Sequence, residues 1–243
     1  MSMQYGHYSD NSLPKLNYKD EFVEYKTNSM GYRCPEWTPL PVGKKNVVIL
    51  GCSHTFGVGL EETKVWVDQL YSRVDQTRLR FWNLGSPGAS GDKIVRILYG
   101  TEKILFPKLI IVCWPLWSRR ERLANKVENL VSNDSRLKFE NEETDLNNFL
   151  KNVFFVEKFA EKIDAKTFHC FADFNIHSMP TVNVFDKTSL KHCWPEWSKL
   201  TFETEKRIPI DWPSRAKDGV HYGAEHHKKF AELFYDYFKT KLK

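Results

Sequence analysis

Ser53 follows an apolar run, Val47-Val48-Ile49-Leu50, and the pair Gly51-Cys52. Near the other end of the chain, Asp218-Gly219-Val220-His221 sets an acid and an imidazole three residues apart across a glycine. A serine hydroxyl is a weak nucleophile until a base removes its proton, and that base needs an acid to orient it. A turn through Gly219 can lay the carboxylate against one imidazole nitrogen and leave the other free. Histidine has the proton affinity for this work near neutral pH. With 8 histidines and 31 acidic residues in the chain, a DxxH spacing taken alone is weakly specific.

The positioning elements follow from periodicity. The run before Ser53 reads as a strand buried on both faces that ends at a loop, the edge where ligands bind in open α/β sheets. Leu79–Leu84, Leu109–Trp114 and Thr167–Phe171 are further strands. Helices are expected over Glu61–Val74, Ser90–Leu105, Ser118–Val131, Asp145–Ile163 and Ala224–Lys239, the third of them charged and opened by a serine cap. Alternating strands and helices imply βαβ units and a mainly parallel sheet of about five strands. Residues 1–40 read as an arm packed on a single α/β domain of residues 41–243, with an irregular Trp-rich insertion at about 175–212.

Four blocks in order resemble the SGNH (GDSL-type) hydrolases. Gly51-Cys52-Ser53-His54-Thr55 is similar to the GDS block, Asn83-Leu84-Gly85-Ser86-Pro87-Gly88 to the second block, and Asp218-Gly219-Val220-His221 to the last. Asn28-Ser29-Met30-Gly31-Tyr32-Arg33 resembles an N-terminal motif of some members. The resemblance implies a three-layer flavodoxin-like fold and hydrolysis of a small ester, an acetylated sugar or a short acyl chain, through an acyl-enzyme. It implies Ser53 as nucleophile, His221 as base and Asp218 as its orienting partner, with the N–H groups of Ser53 and Gly88 facing the oxyanion. It implies no cofactor. Two departures stand out. Cys52 replaces the usual aspartate, and the third block, Val112 to Glu121, lacks the family's glycine and asparagine. Trp117, Ser118 and Arg119 stand near the missing asparagine, and Arg119 is also placed to bind an anionic substrate. The alternatives are a non-catalytic SGNH-like domain binding carbohydrate or a protein partner, and an acyltransferase.

Each feature also has a plainer structural role. Ser53 can serve as a turn or cap residue, Asp218 can cap the last helix, and His221 can pack on the sheet. His54, adjacent to the nucleophile, is expected to make a structural hydrogen bond. His169, Cys170, His177, His192 and Cys193 match no standard zinc spacing, so no metal is expected. The 36 basic and 31 acidic side chains give a net +5 that reads as a solvated surface rather than a nucleic-acid site. The five scattered cysteines argue for free thiols. With neither a leader-like start nor an apolar run of spanning length, the expectation is a cytoplasmic protein without membrane contact.

Overall fold

The computed structural model describes residues 16–18, 21–38, 43–123, 127–130, 142–171 and 214–239. Its strands and helices in chain order are β1 (Leu16–Tyr18), β2 (Glu21–Val23), β3 (Lys45–Gly51), α1 (Ser53–Phe56), a 3-10 turn (Glu62–Lys64), α2 (Trp66–Tyr71) and β4 (Leu79–Gly85). They continue with α3 (Gly91–Leu105), β5 (Pro107–Trp114), β6 (Arg120–Leu123), β7 (Val127–Leu130), α4 (Glu142–Lys162), β8 (Lys166–Phe171) and α5 (Ala224–Phe238).

The main sheet has the order β4-β3-β5-β8, and every pairing is parallel. The chain therefore steps from β3 to β4, then back past β3 to β5. Right-handed crossovers place α2 on one face and α3 on the other when the direction reverses. Accordingly α2 packs on α5, while α3 packs on α4. The result is a three-layer α/β fold in which Val47, Val48, Ile49 and Leu50 have no exposed surface. Burial of each such side chain is worth roughly 1.5–3 kcal/mol. Gly51 is in register with Gly85 on one side and Cys113 on the other, so three loops leave the sheet side by side at the point where strand order reverses. Open α/β sheets bind ligands in that crevice.

The described residues supply four strands to this sheet; the Trp-rich insertion lies outside them. Two expectations need correction. Glu61–Val74 is not one helix: Val65, buried and extended (φ −75°, ψ 139°), separates the 3-10 turn from α2. Ser118–Val131 is not a helix either, because β6 and β7 pair as an antiparallel hairpin. Tertiary partners decide this. The N–H of Glu121 donates to Asp92 Oδ2 (2.9 Å), its carboxylate takes Arg96, and Arg120 pairs with Asp145 (2.8 Å). Among the described residues no helix is long and apolar enough to cross a membrane.

Candidate active site

The turn carrying Ser53 is built by the sheet beneath it. Cys52 is extended (φ −98°, ψ −152°), and Ser53, half-buried, opens the four-residue α1, whose first carbonyl accepts the N–H groups of Gly57 (2.8 Å) and Val58 (3.1 Å). The second block holds this turn down. Asn83 Nδ2 donates to Thr55 O (2.9 Å), while its Oδ1 accepts the Gly85 N–H (2.9 Å). A Cβ on Gly85 would stand 2.4 Å from Phe56 N and 2.7 Å from Thr55 C, so only glycine lets α1 lie this close to β4. Gly88, with φ 70°, sits in the turn between β4 and α3, next to the Ser86–Ala89 hydrogen bond (3.0 Å).

Asp218 and His221 meet within one loop before α5. Asp218 Oδ1 accepts the backbone N–H groups of Val220 and His221, both at 3.0 Å, and Oδ2 accepts His221 Nδ1–H. Burial alone would raise the Asp218 carboxyl; the hydrogen bonds from His221 and Val220 outweigh it and hold the group below the usual carboxylate range. With its Nδ1 proton committed to Asp218, the imidazole keeps the Nε2 lone pair available to take a proton.

The two halves abut through Gly59. Its carbonyl accepts the Lys217 N–H (3.1 Å), and a Cβ there would meet Ala216 Cβ at 2.7 Å and Asp218 Cγ at 3.3 Å. Its φ of 78° independently favours glycine. The sequence neighbours of Ser53 and His221 also touch, since the rings of His54 and Tyr222 are 5.3 Å apart. His54 is buried against His227 (4.3 Å) and Phe230 (5.5 Å). Burial, and then neighbouring imidazoles, push the His54 and His227 rings towards neutrality, His227 to about 3. His227 Nδ1 accepts the Trp66 N–H (3.1 Å), which suits a neutral ring.

Trp117, Ser118 and Arg119 are half-buried in the turn after β5. Arg119 N–H donates to Leu116 O (3.1 Å), and Arg119 Nη1 is buried with no hydrogen-bond partner among the described residues. Its charge reaches the Cys52 thiol, which burial nonetheless keeps protonated. Cys52 therefore offers no substitute for an aspartate at that position. His169, weighed as a metal ligand, is engaged otherwise: Nε2 pairs with Glu157 (2.5 Å) and Nδ1 accepts the Trp114 indole N–H (2.9 Å). No group of three or more His, Cys, Asp or Glu among the described residues could hold a metal ion. His177, His192 and Cys193 lie outside them.

Sequence reasoning gave no role to Tyr25, Arg33, Asn83, His226 or His227. The signal for two of them was present, in the N-terminal motif ending at Arg33 and in the second block beginning at Asn83.

No family model matches the sequence, and no curated protein matches it. Solved structures do. TesA aligns with a TM-score of 0.54 at 15% identity, over 81% of this chain and 99% of its own. The Clostridium thermocellum family 3 carbohydrate esterase aligns at 0.49 and 17% identity, over 82% and 97%. The psychrotrophic esterase EstA from Pseudoalteromonas sp. aligns at 0.48 and 13%, over 82% and 99%. At such identities the likeness is one of architecture. The parallel sheet, its strand order and the alignment with TesA together give this chain the three-layer, flavodoxin-like SGNH-hydrolase fold.

Proposed function

We propose that this protein is a serine ester hydrolase that cleaves a small ester, an acetylated sugar or a short acyl chain, through an acyl-enzyme. The observation that carries the reading is the Asp218–His221 pair, held in a loop that packs through Gly59 against the turn bearing Ser53. Ser53 Oγ attacks the ester carbonyl as His221 Nε2 takes its proton. The same imidazole returns that proton to the departing alkoxide. Water then repeats the sequence on the acyl-enzyme and frees the acid. Asp218 holds the ring in the required tautomer and stabilises the imidazolium that forms in each half-reaction. No cofactor takes part.

The N–H groups of Ser53 and Gly88 are the oxyanion donors in this reading, each worth roughly 3 kcal/mol in the transition state. The turn from Trp117 to Arg119 stands in for the family's missing asparagine. Arg119 contributes positive charge there and suits a substrate bearing an anionic group. The test is hydrolysis of p-nitrophenyl acetate and butyrate by the wild type beside Ser53→Ala. Turnover that disappears in the variant supports the serine mechanism, and equal rates in both contradict it for these esters.

A further inference from the structure

Two side chains of the segment preceding the sheet converge on the turn behind Ser53. Arg33 is buried, at 3% exposure, and donates through Nη1 to the carbonyls of Phe56 (3.1 Å) and Gly57 (2.8 Å). Its Nη2 donates to the carbonyl of Leu60 (2.8 Å). The guanidinium lies over the Tyr25 ring at 4.9 Å and the Phe56 ring at 5.6 Å. The Tyr25 hydroxyl in turn accepts the Gly59 N–H at 2.7 Å.

These contacts fall where the turn is weakest. A four-residue helix cannot hold itself, and its last carbonyls have no partner within it. Arg33 supplies donors to the carbonyls at and just beyond its end, through a planar fork that a lysine lacks. Asn28 shapes the segment that delivers the arginine, its Oδ1 accepting the N–H groups of Met30 (3.0 Å) and Tyr32 (2.9 Å). Gly59 then carries the constraint onward. Its N–H is held by Tyr25, its carbonyl by Lys217, and its face rests on Ala216 and Asp218.

We infer that Tyr25 and Arg33 are positioning residues: together they clamp the turn from Phe56 to Leu60 and, through Gly59, set the nucleophile turn against the loop that carries the base. This inference rests on the serine-hydrolase reading for its catalytic consequence, whereas the clamp itself can be measured without activity. Small displacements of reacting groups cost large factors in rate, of order a hundredfold per ångström. A positioning role therefore lowers kcat and leaves KM nearly alone.

The variants are Tyr25→Phe, which removes one hydroxyl, and Arg33→Lys, which keeps the charge and loses the fork. Tyr25→Phe should lower kcat about tenfold and Arg33→Lys about a hundredfold, with KM within about twofold of wild type. Amide hydrogen exchange at Gly59 and Lys217 should accelerate at least about tenfold in both, with β3 and β5 unchanged. In a His221→Ala background the Tyr25→Phe cost should vanish, because the base it positions is gone. Wild-type exchange at Gly59 and Lys217 in both variants overturns the clamp, whatever the activity. Faster exchange with unchanged kcat, or a tenfold cost that persists without His221, overturns the positioning role. Should the wild type show no Ser53-dependent turnover, the functional reading fails separately. NMR titration of the His221 ring then decides: an altered curve in Tyr25→Phe supports the clamp, and an unaltered one overturns it. Were Arg33→Lys not to fold, Tyr25→Phe carries every one of these measurements alone.

Discussion

Acid should destabilise this protein well above the pH at which its carboxylates titrate, because imidazoles are buried behind the candidate site. His226 and His227 are each 1% exposed, and burial, as the leading cause, lowers them from 6.5 to about 4 and about 3. The groups facing them reinforce this: His54 and His221 with Arg33 around His227, and Lys229 beside His226, whose ring stacks on Tyr222 at 4.0 Å. In the folded state both rings stay neutral at pH 5, whereas in the unfolded chain both are then largely protonated. The unfolded state therefore binds more protons, and stability falls as pH drops below about 6.5. Each ring contributes about 2 kcal/mol of loss between pH 7 and pH 5, so the pair costs about 4 kcal/mol. That is a large part of a typical domain's 5–15 kcal/mol. The loss from each ring ends once pH falls through its folded value. Urea unfolding at pH 7, 6 and 5, followed by tryptophan fluorescence, measures it. His227→Asn, whose amide oxygen falls near the place of Nδ1 and can still accept the Trp66 N–H, should lose about 2 kcal/mol less than the wild type over the same range. Equal losses in the variant and the wild type, or a stability unchanged between pH 7 and 5, would show that these rings are not the source of acid sensitivity.

Three substitutions examine the site itself. Asp218→Asn should lower kcat on p-nitrophenyl acetate by about a thousandfold or more with little change in KM, because the ring loses the partner that fixes its tautomer. Gly85→Ala drives a methyl group into the backbone of Thr55 and Phe56. It should destabilise by about 2 kcal/mol, a fall in Tm of about 6 °C by calorimetry. Arg119→Met should cost about tenfold more in kcat/KM on an ester bearing a carboxylate than on a neutral one, a comparison that steady-state kinetics makes directly.

The parts of this fold that were legible in the sequence are those specified locally. β3, β4, β5 and β8 announce themselves as apolar runs, and α3 begins at Ser90, whose hydroxyl accepts the Lys93 N–H (3.2 Å). Asp218 and His221 find each other within one loop, so their spacing was informative. Residues 118–131 misled because their charges suit a helix surface, while the pairing of β6 with β7 answers to Asp92 and Asp145, each more than twenty residues from the residue it holds. Arg33 shows the same limit, since the carbonyls it serves lie 23 to 27 residues further along. A backbone carbonyl carries no residue type, so no spacing could reveal that contact. Only the resemblance of the Asn28–Arg33 motif marked the place.

The central claim is that Ser53 is a nucleophile activated by His221. The most direct measurement is intact mass after exposure to a fluorophosphonate, with peptide mapping of the adduct, for wild type, Ser53→Ala and His221→Ala. One adduct per chain is expected on Ser53, none in Ser53→Ala, and labelling of His221→Ala slowed by about a hundredfold or more. An unlabelled wild type, or an adduct formed equally well without Ser53 or His221, would contradict it.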